Sequence, residues 1–143
     1  LVNESKTKGI RFIRKTTYII GTATFFLSLV IFIFANIIVE IILGNQYMES
    51  ITVLRILAFL PFLIGLSNIF GIQTMLTFDY KKAFSNILIV ASIINIILSF
   101  LLIPLYKQIG TSFSVLISEF FVTLTMFVYL QIKGIRILEG EIV

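Results

Sequence analysis

Four stretches, 16–39, 56–78, 83–106 and 108–132, carry no charged residue or at most one, and together they occupy most of the chain. At about 1.5 Å of rise per residue, a stretch of this length makes roughly 35 Å of helix, against a hydrocarbon core about 30 Å thick. The expectation is an all-α, polytopic membrane helix bundle with four transmembrane helices, about 16–39, 53–78, 83–105 and 109–132, in a single transmembrane domain over 1–143.

Composition closes the alternatives. With 59% hydrophobic residues, 13% charged and a mean hydropathy of +1.11, the chain has too little polar surface to cover a soluble globule. A net charge of +4 could suggest nucleic acid, but the lysines and arginines flank apolar spans and form no basic face, so no nucleic-acid partner is expected. The absence of cysteine and histidine excludes disulfides, thiolate chemistry, histidine bases and any ordinary zinc or haem site. No metal site, catalytic residue or cofactor is expected, with H+ or Na+ coupling left open.

The first apolar stretch follows Lys6, Lys8, Arg11, Arg14 and Lys15, as a signal peptide would. Its length argues for a retained helix, because a signal h-region is about 7 to 15 residues long. Orientation follows from the basic residues, which concentrate on cytoplasmic flanks. Those five, with Lys81, Lys82, Lys133 and Arg136, fall on one side, leaving Arg55 and Lys107 for the other. Both termini of this segment should therefore be cytoplasmic, with "TFDYKKAFS" a cytoplasmic turn and "PLYKQIGTS" and the 44–50 region facing outward. Such short links imply antiparallel hairpins.

Within the spans, Glu119 is the most informative residue. It lies about ten residues from either end of the fourth helix, near the midplane, where an ionised carboxylate costs at least a few kcal/mol. It reads as part of a polar cavity, a proton or cation site or a substrate contact; the alternative is a neutral packing residue. Arg55 lies near the outer end of the second helix, where it can either snorkel to the interface or line a cavity. A direct Arg55–Glu119 pair would require closing a depth difference of roughly 10 Å.

Pro61, in the middle of the second helix, removes a backbone donor and crowds the Leu57 carbonyl, so a kink or hinge is expected there. Ser67, Asn68, Gly71, Gln73 and Thr74 make the inner half of that helix polar. Ser92, Asn95 and Ser99 share one face of the third helix. Ser92 and Ser99 read as packing residues, and Asn68 and Asn95 are open between packing and a wetted path. Gly110, Ser114 and Ser118 form a small-residue stripe, a face for close helix approach. The tyrosines lie near the expected interfaces. No phosphate loop, nucleophile elbow or catalytic carboxylate pair is present.

A specific resemblance emerges from the order of these features. The run "LGNQYMESITVLRILAFLPFLIGLSNIFGIQTML", then "KK", "NIILSFLLIPLY" and "GTSFSVLISEF", resembles the C-terminal part of the polysaccharide or oligosaccharide (Wzx-like) flippases. These form one branch of the multidrug, oligosaccharidyl-lipid and polysaccharide exporter superfamily. The resemblance implies about twelve or more helices in two lobes around a cavity. It also implies transport of undecaprenyl-diphosphate-linked oligosaccharides by alternating access across the bacterial inner membrane, for surface polysaccharide such as O-antigen. Beginning at Leu1 without a methionine, the chain reads as a fragment whose partners include the missing N-terminal helices of the same protein, the lipid bilayer and the lipid-linked oligosaccharide. Arg55 and Glu119 occupy matching polar positions, and Asn68, Gln73 and Asn95 are further candidates to line the cavity, with Pro61 as hinge.

Two other functions fit the residues. One is a multidrug or metabolite antiporter of the same superfamily. The other is a small structural four-helix membrane scaffold, which an unpaired midplane Glu119 counts against. An enzyme is not expected, because the short outer loops leave no room for an extracytoplasmic active site.

Overall fold

A computed structural model describes the backbone of residues 2–139 and 141–142 and the side chains of residues 9–139. Leu1 and the side chains of Lys6 and Lys8 lie outside the described residues. The chain runs through α1 (Val2–Ile42), a 3-10 turn (Asn45–Tyr47), α2 (Ser50–Leu57), α3 (Leu60–Asn68), a π-helical segment (Ile69–Met75) and α4 (Lys81–Ile132). Two short strands follow, β1 (Ile135–Arg136) and β2 (Glu141–Ile142).

Helix α1 begins well before the expected position 16. Its amphipathic first turns explain the difference: Ile10, Ile13 and Thr17 recur at helical spacing and are buried, while Arg11, Arg14 and Lys15 stay exposed. The basic flank is thus helix stabilised by packing of one apolar stripe. The other end of α1 stops at Gly44, whose φ of +87° is costly for a residue with a Cβ; its N–H reaches back to the Val39 and Glu40 carbonyls.

The second expected helix, 53–78, is broken into three pieces. The α2 helix ends at Leu57, and Pro61 falls in the first turn of α3, where a backbone N–H would have had no partner within α3 in any case. The next donor, Phe62 N–H, leaves its own helix and donates to the Ser28 hydroxyl of α1 at 3.2 Å. The hydrogen-bond ladder is therefore interrupted next to Pro61, and a hydroxyl of a neighbouring helix takes up the Phe62 donor. Beyond Asn68 the helix widens to i→i−5 bonding, as in Leu76 N–H to Gly71 carbonyl, and Thr74 Oγ1 donates to the Ile69 carbonyl at 2.8 Å.

Three helical runs, Gly9–Ile42, Ser50–Met75 and Lys81–Ile132, are long and apolar enough to cross a membrane. Four separate helices were expected; the third and fourth are instead joined in one run of 52 residues. That run is not straight. Lys107 has φ 51° and ψ −127°, outside the helical region, and the chain folds back there. Ser99 Oγ and Ser114 Oγ lie 3.1 Å apart, whereas their 15-residue separation along a straight helix would be about 22 Å. A Cβ on Gly110 would lie 2.6 Å from the Leu102 carbonyl carbon, so only glycine allows the legs 81–106 and 108–132 to meet this closely near the bend. The small-residue stripe packs as its spacing predicts, with Gly110, Ser114 and Ser118 all buried.

The core lies toward the end of the bundle that carries the Asp79–Lys82 turn and the strands. Ile10 and Ile13 of α1, Met75, Met126 and Leu130 pack there with Ile135 and Ile137. The two strands pair antiparallel, Ile135 opposite Ile142, after a turn at Gly134 with φ +75°. This closing hairpin had no sequence signal beyond two buried isoleucines alternating with a charge. Toward the Lys107 end the surface is apolar: Ile41 is 77% exposed, Leu105 73% and Phe100 79%, a surface that demands lipid or protein cover.

Candidate functional site: a polar groove between the legs of α4

The reversal at Lys107 sets residues of the two legs opposite one another in a register that sums to about 214, so Asn95 faces the level of Glu119. Leu88, Ala91, Ser92, Asn95 and Ile96 from the first leg and Val115, Ser118, Glu119 and Val122 from the second line a groove of about 480 Å³. Glu119 and Asn95 are half-buried in its walls. The sequence placed them on different helices, and the fold brings them to one groove.

Behind the groove, Glu119 is anchored to the broken helix. Ser67 Oγ donates to Glu119 Oε1 at 2.6 Å, a short distance for a hydroxyl to a carboxylate oxygen. One turn further along, Thr123 Oγ1 bridges the Leu63 carbonyl of α3 at 3.2 Å and the Glu119 carbonyl at 2.9 Å. The carboxylate is thus held from the α3 side while its helix face lines the groove. Such an arrangement suits hydroxyl-rich or cationic groups, which can exchange hydrogen bonds with a fixed carboxylate and a nearby amide.

The other candidates go elsewhere. Arg55 is exposed on α2; its Nη2 donates to Asn36 Oδ1 of α1 at 3.4 Å, and its guanidinium lies 5.8 Å from the Phe32 ring centroid. The direct Arg55–Glu119 pair is not formed, because Arg55 precedes Ser67 by twelve residues, roughly 18 Å of helix. Asn68 is exposed, and its Nδ2 donates to the Ile64 carbonyl of its own helix at 3.0 Å, one residue and about 100° of helix away from the Ser67 face. Gln73 is half-buried in the π-helical segment, outside the groove lining. Pro61 sits at the break between α2 and α3. Ser92 lines the groove but donates its hydroxyl to the Leu88 carbonyl. Ser99 packs against Ser114, as its reading as a packing residue required.

Two participants escaped the sequence reading. Ser28 supplies the acceptor for the Phe62 N–H, and Asn36 supplies the acceptor for Arg55; both are polar residues within an otherwise apolar helix, the one signal that could have found them. Among the described residues the ion pairs are Lys81–Asp79 at 3.2 Å and Arg136–Glu139 at 3.0 Å, both exposed and worth little to stability.

Apolar helical runs of membrane-spanning length, an uncovered apolar surface and a half-buried carboxylate in a groove define a polytopic, all-α membrane protein. The chain is similar to a protein of Escherichia coli (strain K12) described as "Putative O-antigen transporter", with 39% identity over 127 residues. The alignment covers 89% of this chain and 31% of that relative, so the chain spans about a third of the relative's length. The resemblance to the polysaccharide flippases read from the motifs is borne out by this relative. No family model matches the chain, and no solved structure matches it.

Proposed function

We propose that this bundle forms part of a transporter that flips a lipid-linked, undecaprenyl-diphosphate oligosaccharide across the bacterial inner membrane for surface polysaccharide synthesis. The observation that carries the proposal is the 39% identity to a protein whose name refers to O-antigen transport. In this reading the legs 81–106 and 108–132 each cross the bilayer, giving four crossings with both termini of the segment cytoplasmic. Because the chain spans 31% of its relative, the second lobe and the rest of the cavity are contributed by further helices. Glu119 and Asn95 line the path taken by the polar cargo, while Arg55 stands outside that groove against α1. Asn68 and Gln73 stand on flanks that the further helices would cover. The break at Pro61 lets α3 tilt against α2 as the cavity opens alternately to the two sides.

Deletion of the gene followed by complementation tests the proposal. Loss of surface glycan with accumulation of the lipid-linked oligosaccharide on the cytoplasmic leaflet, reversed by the native gene but not by a Glu119→Ala variant, is the expected result. Unchanged surface glycan with raised sensitivity to toxic cations would instead make the protein a drug antiporter. Unchanged behaviour in both assays would favour the scaffold.

A further inference from the structure

A second cavity lies on the other side of the second leg of α4. It is a cleft of about 330 Å³ between α1, α3 and residues 120–127, lined among others by Thr17, Leu66, Phe70, Phe120, Phe127 and Leu138. Its wall offers almost nothing polar. The Thr17 hydroxyl donates to the Ile13 carbonyl, and the hydroxyl of Thr123, the other polar side chain of the lining, is used between Leu63 and Glu119. With its hydroxyls satisfied internally, the cleft favours a hydrocarbon chain over any sugar or hydrated cation.

The ends of the cleft differ. One end, at Phe120, adjoins Glu119 at the expected bilayer midplane. The other, at Leu138, adjoins Glu139, whose carbonyl accepts from Arg14 Nη1 at 3.2 Å and whose carboxylate pairs with Arg136. The Glu139 carboxylate serves Arg136, which also stands opposite Glu141 in the strand pair, while Arg14 engages a neutral carbonyl, so among the described residues it is Arg14 that keeps its positive charge beside the cleft mouth. Exposed Arg11 and Lys15 add to it. From Phe120 to Phe127 the cleft follows seven residues, roughly 10 Å, and Leu138 extends it toward the surface, so it runs from midplane to interface, the depth of one leaflet.

We infer that this cleft holds one acyl chain of an anionic glycerophospholipid of the cytoplasmic leaflet, with its phosphate at Arg14. Charge complementarity at the mouth selects the anionic headgroup, and the leaflet-deep apolar wall takes the chain. A polyprenyl chain shares the hydrocarbon and phosphate chemistry but is several times longer than the cleft. The inference rests on the membrane orientation proposed above and not on which cargo is flipped.

The test uses the whole protein as isolated from membranes, in phosphatidylcholine vesicles, with Phe127→Trp as a reporter in a segment that has no native tryptophan. The signal is the difference between this variant and the parent. Phosphatidylglycerol with brominated acyl chains should quench the reporter with at least threefold higher apparent affinity than brominated phosphatidylcholine. Arg14→Gln should abolish the preference, and Lys107→Gln at the opposite end should leave it intact. Equal quenching by both lipids, or quenching by neither because protein fills the cleft, overturns the inference. Displacement of the brominated lipid by a polyprenyl phosphate at lower concentration than by unlabelled phosphatidylglycerol overturns it in favour of the substrate tail. The transport assays on the gene deletion are read separately, so failure here leaves the flippase proposal standing or falling on its own result.

Discussion

Ser67 and Glu119, 52 residues apart in sequence, are joined by a 2.6 Å hydrogen bond that ties the piece of broken helix beyond Pro61 to the wall of the polar groove. The bond links the residue most expensive to place in a membrane to the most irregular helix in the bundle. It also fixes which groups couple to Glu119 and which do not.

Glu119→Ala and Ser67→Ala should therefore be non-additive, with a coupling of about 1 kcal/mol in transport or in stability. Glu119→Ala and Arg55→Ala should add, since Arg55 engages Asn36 and Phe32 of α1. Double-mutant cycles on cell-surface glycan, or on thermal unfolding of the purified protein, measure both. If transport is coupled to protons, Glu119→Gln removes its pH dependence; a Na+-coupled or uncoupled transporter keeps its profile.

The reversal at Lys107 predicts proximity that a continuous helix forbids. Ser99→Cys with Ser114→Cys should form a disulfide under mild oxidation, because the parent hydroxyls are 3.1 Å apart. A straight run would separate them by about 22 Å and give no cross-link. Gly110→Leu should lower stability by about 3 kcal/mol or prevent folding, as its side chain would enter the Leu102 backbone.

Ser28→Ala strands the Phe62 N–H, which has left the helical ladder next to Pro61. A loss of about 1 kcal/mol is expected, the loss of a part-buried hydrogen bond, read as a lower melting temperature in detergent. Ser92→Ala, whose hydroxyl only returns to its own helix, should change stability by less than about 0.5 kcal/mol.

Orientation is open to chemical labelling. A cysteine at Asn45 should react with a membrane-impermeant maleimide on intact inner-membrane spheroplasts, and one at Lys82 only after permeabilisation. The reverse pattern would invert the topology and move the basic end to the outer face.

Much is legible in the residues themselves because the bilayer is a severe solvent. A segment of about twenty apolar residues has few fates, so the apolar helical runs, the helix break next to Pro61 and the close-packed stripe at Gly110, Ser114 and Ser118 follow from residue type and spacing. Glu119 and Asn95 are legible as misfits in hydrocarbon. Their sharing of one groove is not, since it depends on the register of a hairpin closed at Lys107.

What the amino-acid sequence determined by itself was therefore the class of molecule: an all-α membrane bundle with basic residues concentrated at one end. Tertiary structure decided which polar groups meet. Helical phase turns by about 100° per residue, so Ser67 reaches Glu119 while its neighbour Asn68 faces away. Arg55, a sequence candidate for the cavity, goes to Asn36 because α1 and not α4 lies against its face of α2. Hydropathy registers only transfer from water to lipid, which neighbouring residues share; hydrogen bonds depend on direction and distance, which only the packed helices supply.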